Sequence, residues 1–576
     1  MHAPGRWPSF YLSLLTLSLV LVGCSFGGRS SVRIDPGSTL VIDLAGDYIE
    51  APAPSILDRL MGDGSRPFVG LLSMFSRAER DDRISTVVLR IQPLSIGWGK
   101  ADEIREAIGR VRDRGVHTVA YLEIQGFAAN KELFIATAAD EVFVVPGASI
   151  PLVGLAAEYL FLGGFWEKLG VDFDVAKAGR YKSAVEVYSE RGMSEASREM
   201  ANSLLDDTYA RFVEGLATGR GLTQEAVQDL IDSGVMRSQQ LEAAGLIDGE
   251  LHLDQLLDRF GDKVVSHRDY QTVSPEDVGF DAEAEFALIY GTGPVVQGDA
   301  DDSPLSSGPA FASESIARAI LDAAEDPEIR AILFRIDSPG GSALASELIW
   351  RAIERAQQKG KPVIASFSDV AASGGYYVAS GADAIVADPG TLTGSIGVFA
   401  LRPVVGEMLG KLEIGVESLT RGRHADFLLS SEKMSEASLA RLQTTVLDTY
   451  QIFLTRVSEG RSMPIEDVDE IGQGRVWTGR QAFERGLVDE LGGLYTAARR
   501  AKRAIGLEVD ADVYLVPYPR PASLSEQLFD AFRSTSMGLL EPVFEWPAPL
   551  AELVEMATAL PTGSALLIPP VLIEIR

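Results

Sequence analysis

Two residues in this chain could serve as a nucleophile and its base, and they stand in different halves of it. Ser373 lies in Val370-Ala371-Ala372-Ser373-Gly374-Gly375-Tyr376-Tyr377, a serine among small residues just before a helical pattern. Lys182 lies in Gly179-Arg180-Tyr181-Lys182-Ser183. A serine hydroxyl is a poor nucleophile until an adjacent base takes its proton. A lysine can be that base only where burial lowers its pKa from about 10.4 toward roughly 7–8, a change of roughly 4 kcal/mol in differential solvation. The flanks of Lys182 (Tyr181, Ala184, Val185) permit such burial. A third element is Asp337-Ser338-Pro339-Gly340-Gly341-Ser342, where paired glycines between a strand and a helix let backbone N–H groups approach a substrate oxygen. Taken singly, each has a plain reading: a small residue in a tight turn, a solvated cation, a turn.

Other chemistries lack their residues. The five histidines are His2, His117, His252, His267 and His424. Only His424 falls in a segment expected near Ser373, so a Ser373–His424 pair is the alternative to a Ser–Lys pair. There is no H-E-x-x-H and no G-x-x-x-x-G-K-[ST], and the single G-x-S-x-G match, Gly23 to Gly27, does not sit at a strand-to-helix turn. The sequence calls for no metal and no cofactor.

The elements that must position these residues come as a tandem repeat. Met193-Ser194-Glu195-Ala196-Ser197 recurs as Met434-Ser435-Glu436-Ala437-Ser438, 241 residues on. Asp207-Thr208-Tyr209 and Gly245-Leu246-Ile247-Asp248 recur at the same offset, as Asp448-Thr449-Tyr450 and Gly486-Leu487-Val488-Asp489. Upstream the offset drifts to 243 and then 245, as small loop insertions would make it. The repeats are placed at 38–262 and 284–506, with a linker at 263–283 and a tail at 507–576. In the second repeat, Phe286–Tyr290, Ala331–Ile336 and Pro362–Phe367 read as strands, and Glu314–Ala324 and Ala345–Lys359 as amphipathic helices. Such alternation predicts an α/β fold with parallel-rich sheets covered by helices.

Aligned, the two copies differ where chemistry is expected. Asn130 and Lys131 face Ser373 and Gly374, Gln92-Pro93-Leu94-Ser95-Ile96-Gly97 faces the Gly340-Gly341 loop, and Ala425 faces Lys182. Each half keeps one member of a Ser–Lys pair, and the chain as a whole keeps both.

Composition sets outer bounds. Lys and Arg number 52 against 82 Asp and Glu, a net charge of −30, which disfavours nucleic acid as a partner. An apolar share of 46% in 576 residues predicts packed domains. The N-terminus has the build of a secretory signal peptide at 1–23: Arg6, the uncharged run Phe10–Val22, then Leu21-Val22-Gly23-Cys24. That ending resembles a bacterial lipobox, which would lipidate Cys24, the chain's only cysteine; an uncleaved anchor helix is the alternative. Residues 24–37 read as a tether, and both readings predict an exported protein held at a membrane, on its periplasmic side.

Four strings together resemble signal peptide peptidase of the SppA type in its long, internally duplicated form. They are Asp337-Ser338-Pro339-Gly340-Gly341, Ala372-Ser373-Gly374-Gly375-Tyr376, Thr391-Leu392-Thr393-Gly394-Ser395-Ile396-Gly397 and Tyr181-Lys182-Ser183-Ala184-Val185-Glu186. The resemblance implies a duplicated ClpP/crotonase-like fold, a homo-oligomeric ring that is tetrameric in the long form, and a serine endopeptidase that degrades cleaved signal peptides at the membrane. It further implies Ser373 as nucleophile, Lys182 as general base, backbone N–H groups of Gly374 and of Gly340 or Gly341 as oxyanion donors, and Ser395 as the hydroxyl that orients the lysine. Asp337 is expected to be structural. Two rivals share the fold: an inactive membrane-tethered scaffold, and a crotonase-like acyl-CoA enzyme. The tail, with the apolar stretch Ala565–Ile573, matches no known pattern and is expected to pack on the body.

Overall fold

The computed structural model describes residues 34–50, 66–126, 129–300, 311–520 and the backbone of 566–567. The signal peptide with Cys24 and most of the tether lie outside the described residues.

Each repeat builds a parallel-rich sheet from β-branched runs, the second with one antiparallel edge strand, Val476–Thr478. The first sheet orders its strands Gly249–Glu250, Glu141–Val144, His117–Leu122, Ile84–Leu94, Ser38–Gly46 and Val264–Ser266, all parallel. The second runs Val476–Thr478, Leu392–Gly394, Val363–Ala372, Ile329–Ser338, Ala282–Thr292 and Asp512–Tyr518, with Ala384–Ala387 and Glu490–Leu491 branching from Val363–Ala372. Eight of the ten residues of Ile329–Ser338 are buried, the pattern of a parallel strand covered on both faces. The strands and helices expected in the second repeat all form. The strand expected at Pro362–Phe367 continues to Ala372, one residue short of Ser373. Two strands lie outside the expected repeat bounds: Val264–Ser266 in the linker and Asp512–Tyr518 in the tail occupy equivalent edges of their sheets.

The verbatim repeat strings are helix starts. Ser194 and Ser435 cap helices Glu195–Arg220 and Glu436–Arg461, their hydroxyls accepting from the N–H groups of Ser197 and Ser438. Helix Ala343–Gln358 is capped in the same way by Ser342 and buries Ala345, Ile349, Ile353 and Ala356 against its sheet.

The repeats share one interior. A single apolar cluster runs from Leu40, Val87 and Leu122 of the first repeat through Phe286, Leu333 and Ile364 to Leu494 of the second. Polar clamps cross the same boundary: fully buried Arg335 bonds Glu50 and Glu103 of the first repeat. A third sheet also spans it, because Asp172–Ala178 pairs antiparallel with Val398–Val404, Lys177 opposite Phe399 and Ala178 opposite Val398. Among the described residues no helix is long and apolar enough to cross a membrane.

Candidate active site

That cross-repeat ladder decides which side chains meet. Lys182 follows Asp172–Ala178 by four residues, and Ser395 precedes Val398–Val404 by three. Pairing the two strands therefore brings the loops at their ends together.

Ser373 is where strand Val363–Ala372 turns into helix Gly374–Ala379, and its backbone sits at φ 55°, ψ −113°. A non-glycine residue there costs on the order of 1–3 kcal/mol and persists only when its surroundings hold it. The Ser373 N–H donates to the Gly394 carbonyl at 2.8 Å, and its own carbonyl accepts from Tyr377 N–H at 2.8 Å. Ser395 is also left-handed, at φ 53°, with its N–H on the Arg475 carbonyl at 2.7 Å.

Lys182 Nζ stands 2.7 Å from Ser373 Oγ, 3.0 Å from Ser395 Oγ and 3.0 Å from the Ser395 carbonyl oxygen. All three side chains are fully buried. Desolvation alone drives the Lys182 pKa well below its ordinary value, with no carboxylate opposing it. A neutral amine has two N–H donors and one lone pair, and three partners surround this one. In its neutral form the amine could accept the Ser373 hydroxyl proton on its lone pair and direct its two donors at the Ser395 oxygens.

A loop that the sequence reading passed over holds this arrangement. Tyr181 N–H donates to the Gln473 carbonyl at 2.7 Å, and Gly474 N–H donates to the Ile396 carbonyl at 2.6 Å. A Cβ on Gly474, at φ 77°, would lie 2.6–2.7 Å from Lys182 N, Cα and Cβ. Segment 473–475 thus grips the lysine and Ser395 together. Its only sequence signal is a glycine, which no chemical motif singles out.

Of the expected oxyanion donors, two remain suitable. Gly374 opens its helix, where the first N–H groups have no intrahelical acceptor. A Cβ on it would meet Gly341 N at 2.9 Å, so the Gly374 and Gly341 backbones converge. Gly340 is set aside, because its N–H donates to Ser338 Oγ at 3.1 Å. Asp337 is structural, accepting Val370 N–H at 3.1 Å and pairing with Lys100 Nζ at 2.7 Å.

The histidine alternative is not assembled. His424 Nδ1 lies 3.0 Å from Ser438 Oγ in the first turn of helix Glu436–Arg461, and that hydroxyl donates to Asp426. In the first repeat the equivalent of the serine turn is filled: Asn130 Nδ2 donates to the Gly154 carbonyl, and Lys131 Nζ donates to the carbonyl of Ile96, the residue that faces Gly341.

A serine in a strained strand-to-helix turn, with a buried amine of lowered pKa on its hydroxyl and convergent glycine N–H groups beside it, is the equipment of a serine hydrolase. The chain belongs to peptidase family S49, whose profile matches residues 112–265 and 355–508, one stretch in each repeat. Chloroplastic serine protease SPPA of Arabidopsis thaliana is 36% identical over 522 residues, covering 88% of this chain and 75% of that one. Protease 4 of Haemophilus influenzae is 27% identical over 584 residues, 94% of this chain and 92% of that one. A putative signal peptide peptidase SppA of Enterococcus faecium is 32% identical over 194 residues, 34% of this chain and 56% of that one. The protein is a serine peptidase.

Proposed function

We propose that the chain is a membrane-tethered endopeptidase that hydrolyses extended apolar peptides such as cleaved signal peptides, using Ser373 as nucleophile and Lys182 as general base. The observation that carries this reading is the 2.7 Å approach of Lys182 Nζ to Ser373 Oγ in a site with no carboxylate to hold the amine charged. Neutral Lys182 takes the hydroxyl proton as Oγ attacks the peptide carbonyl, and the resulting oxyanion is met by the N–H groups of Gly374 and Gly341. The lysine then returns the proton to the departing amine. Water attacks the acyl-enzyme with Lys182 again as base, and the serine is restored. Ser395 positions the amine through both of its oxygens. The pair forms within one chain.

The tether is the lipidated Cys24, which places the enzyme on the exported, periplasmic face of a membrane. A homo-oligomer, tetrameric by resemblance to the family, fits the exposed apolar side chains Leu160, Phe165, Leu169, Leu412, Leu419 and Leu428. They lie on neighbouring segments, with Met408 N–H bonded to the Gly170 carbonyl. A patch of this kind marks an interaction surface.

The test is a serine-directed fluorophosphonate on the full chain, with mass spectrometry of the labelled peptide. Label on Ser373 that is lost in Lys182→Ala and kept in His424→Ala is the expected result. A folded protein that takes no label and cleaves no leader-like peptide would be a scaffold instead.

A further inference from the structure

The strand that leads to the nucleophile changes step with its neighbour just before the active site. Val363–Ala372 pairs with Ile329–Ser338 at an offset of 31 residues as far as Ile336 opposite Phe367, and at 33 from Ser338 opposite Ala371. Asp337 alone therefore faces three residues, Ser368, Asp369 and Val370, a bulge that puts two extra residues into the nucleophile strand. They set back everything after them by two strand positions, about 7 Å. The later offset, 33, is also the one at which Gly374 meets Gly341. A strand without the bulge would carry Ser373 and Gly374 past the Gly340-Gly341 loop, so the convergence of the oxyanion donors depends on it.

The first repeat holds the bulge at each of its three residues. Ser368 Oγ donates to Glu50. Asp369 accepts the Gly97 N–H on Oδ2 at 3.0 Å and the Lys100 N–H on Oδ1 at 2.9 Å. Lys100 Nζ bridges Asp369 Oδ2 at 3.0 Å and Asp337 Oδ2 at 2.7 Å, and Asp337 Oδ1 accepts the Val370 N–H at 3.1 Å.

The seat is the start of helix Trp98–Asp113. Its N-cap is Gly97, which has no side chain to cap it. Asp369 caps it from the other repeat, taking the N–H groups of the N-cap and N3 positions, which a capping box divides between two side chains. Glycine makes the close approach possible: a Cβ on Gly99 would lie 2.6 Å from the Ser368 carbonyl oxygen, and one on Gly97 would overlap the Asp369 carboxyl. In the aligned copies Gly97 stands where the second repeat has Ser342, which caps its own helix Ala343–Gln358. The first repeat's counterpart of the oxyanion loop thus carries no cap of its own and serves as the seat for the bulge.

We propose that Asp369 and Lys100 are positioning residues of the peptidase, clamping this bulge so that the Ser373 hydroxyl and the Gly374 and Gly341 N–H groups address one carbonyl. The proposal rests on the reading of those three residues above. Asp369 and Lys100 bond the strand ends and the helix start, and they act through the register of the strand, not on the reacting atoms.

The experiment compares Asp369→Ala and the isosteric Asp369→Asn in the full chain. Active sites are counted with a fluorophosphonate label taken to completion, and turnover of a fluorogenic apolar peptide is expressed per labelled site. In Asp369→Ala kcat per site should fall about 10²–10³-fold, as on loss of one oxyanion donor, with KM changed by less than about threefold. The acidic limb of its pH profile should stay where it is, because Lys182 keeps its partners. Asp369→Asn, which keeps one acceptor oxygen, should lie between this variant and the wild type. A purely structural part for Asp369 would lower the number of labelled sites and leave kcat per site at the wild-type value. That result, or a shift of the acidic limb that accounts for the loss, would overturn the proposal; where too little Asp369→Ala folds to take label, Asp369→Asn decides on the same criterion. The site reading is checked separately in the same assay. Turnover that survives Ser373→Ala would remove that reading, whereas turnover lost in Ser373→Ala with kcat per site unchanged in the Asp369 variants would remove only the clamp.

Discussion

Two lysines of this protein are buried almost alike and are driven in opposite directions. Lys100 is 5% exposed and Lys182 is 0% exposed. Lys100 Nζ lies 2.7 Å from Asp337, 3.0 Å from Asp369 and 3.4 Å from Glu50. Burial alone would lower its pKa, but these three carboxylates outweigh that and hold it well above the ordinary value. Lys182 has hydroxyls and a carbonyl for partners, nothing offsets its desolvation, and its pKa falls. What separates a structural cation from a candidate base is therefore the charge of the neighbours, not depth. Lys100 ties the first repeat to the strand ends that carry the Gly340-Gly341 loop and Ser373; Lys182 reaches the same site from the opposite side.

The largest effect should come from removing the neutral amine. Lys182→Ala should lower kcat/KM by about three to six orders of magnitude, the range seen when one member of a cooperating catalytic set is deleted, as measured on a fluorogenic peptide. Wild-type activity should be lost as pH falls through the depressed pKa of Lys182, because only the unprotonated amine accepts the serine proton. Giving Lys182 the kind of neighbour Lys100 has should move that limb. In Ser395→Asp a carboxylate beside Nζ favours the ammonium, so the acidic limb of the pH profile should move up by about two pH units and the lost activity should partly return in alkali. A variant with an unmoved pH profile would show that desolvation does not set the base.

Stability should separate the two lysines in the reverse order. Lys100→Met leaves Asp337, Asp369 and Glu50 buried without their cation and should cost about 3–5 kcal/mol in urea unfolding. Lys182→Met removes an amine that no carboxylate pairs, together with its hydrogen bonds to Ser373 and Ser395, and should cost only about 1–3 kcal/mol. The signs of their pH dependence also differ. Lys182 has a lower pKa folded than unfolded, so between the two values the unfolded state binds more protons and stability rises with pH; that slope should vanish in Lys182→Met. For Lys100 the folded pKa is the higher one, and its contribution, complete below about 10.4, is lost as pH rises through the folded value.

Much of this was legible in the sequence, because duplication leaves a record in one dimension. Fixed offsets mark equivalent elements, and residues missing from one copy point to Ser373 and Lys182. The rest depends on what lies across the fold. Sequence does not show that Gly474 packs on the Lys182 backbone, nor that Lys100 meets Asp337 and Asp369 across the repeat boundary, since these pairs are hundreds of residues apart and carry no spacing rule. The edge strand Asp512–Tyr518 falls in the stretch that the sequence marks only as a tail of unknown role. Pro517 stands opposite Leu288 within the pairing, at an outer strand where a missing N–H is tolerated. The fate of the Gly340 N–H turned on a single serine hydroxyl, a local contact that a Gly-Gly motif does not encode.

The smallest expected effect tests whether the repeats differ only in a few side chains. Asn130→Ser with Lys131→Gly restores to the first repeat the two residues that face Ser373 and Gly374. If residue identity were all that had been lost, a second labelled serine should appear. We expect none, and a change in turnover below about twofold, because the lysine position of that half-site is Ala425. The backbone is missing as well. Residues 415–421, aligned with strand Asp172–Ala178, form no strand, and neither do 155–161, aligned with Val398–Val404. Each repeat has kept one strand of a pair, and the two survivors pair with each other. One site per chain follows from that pairing, so a label stoichiometry that stays at one in the double variant, and falls to zero on adding Ser373→Ala, is the expected measurement.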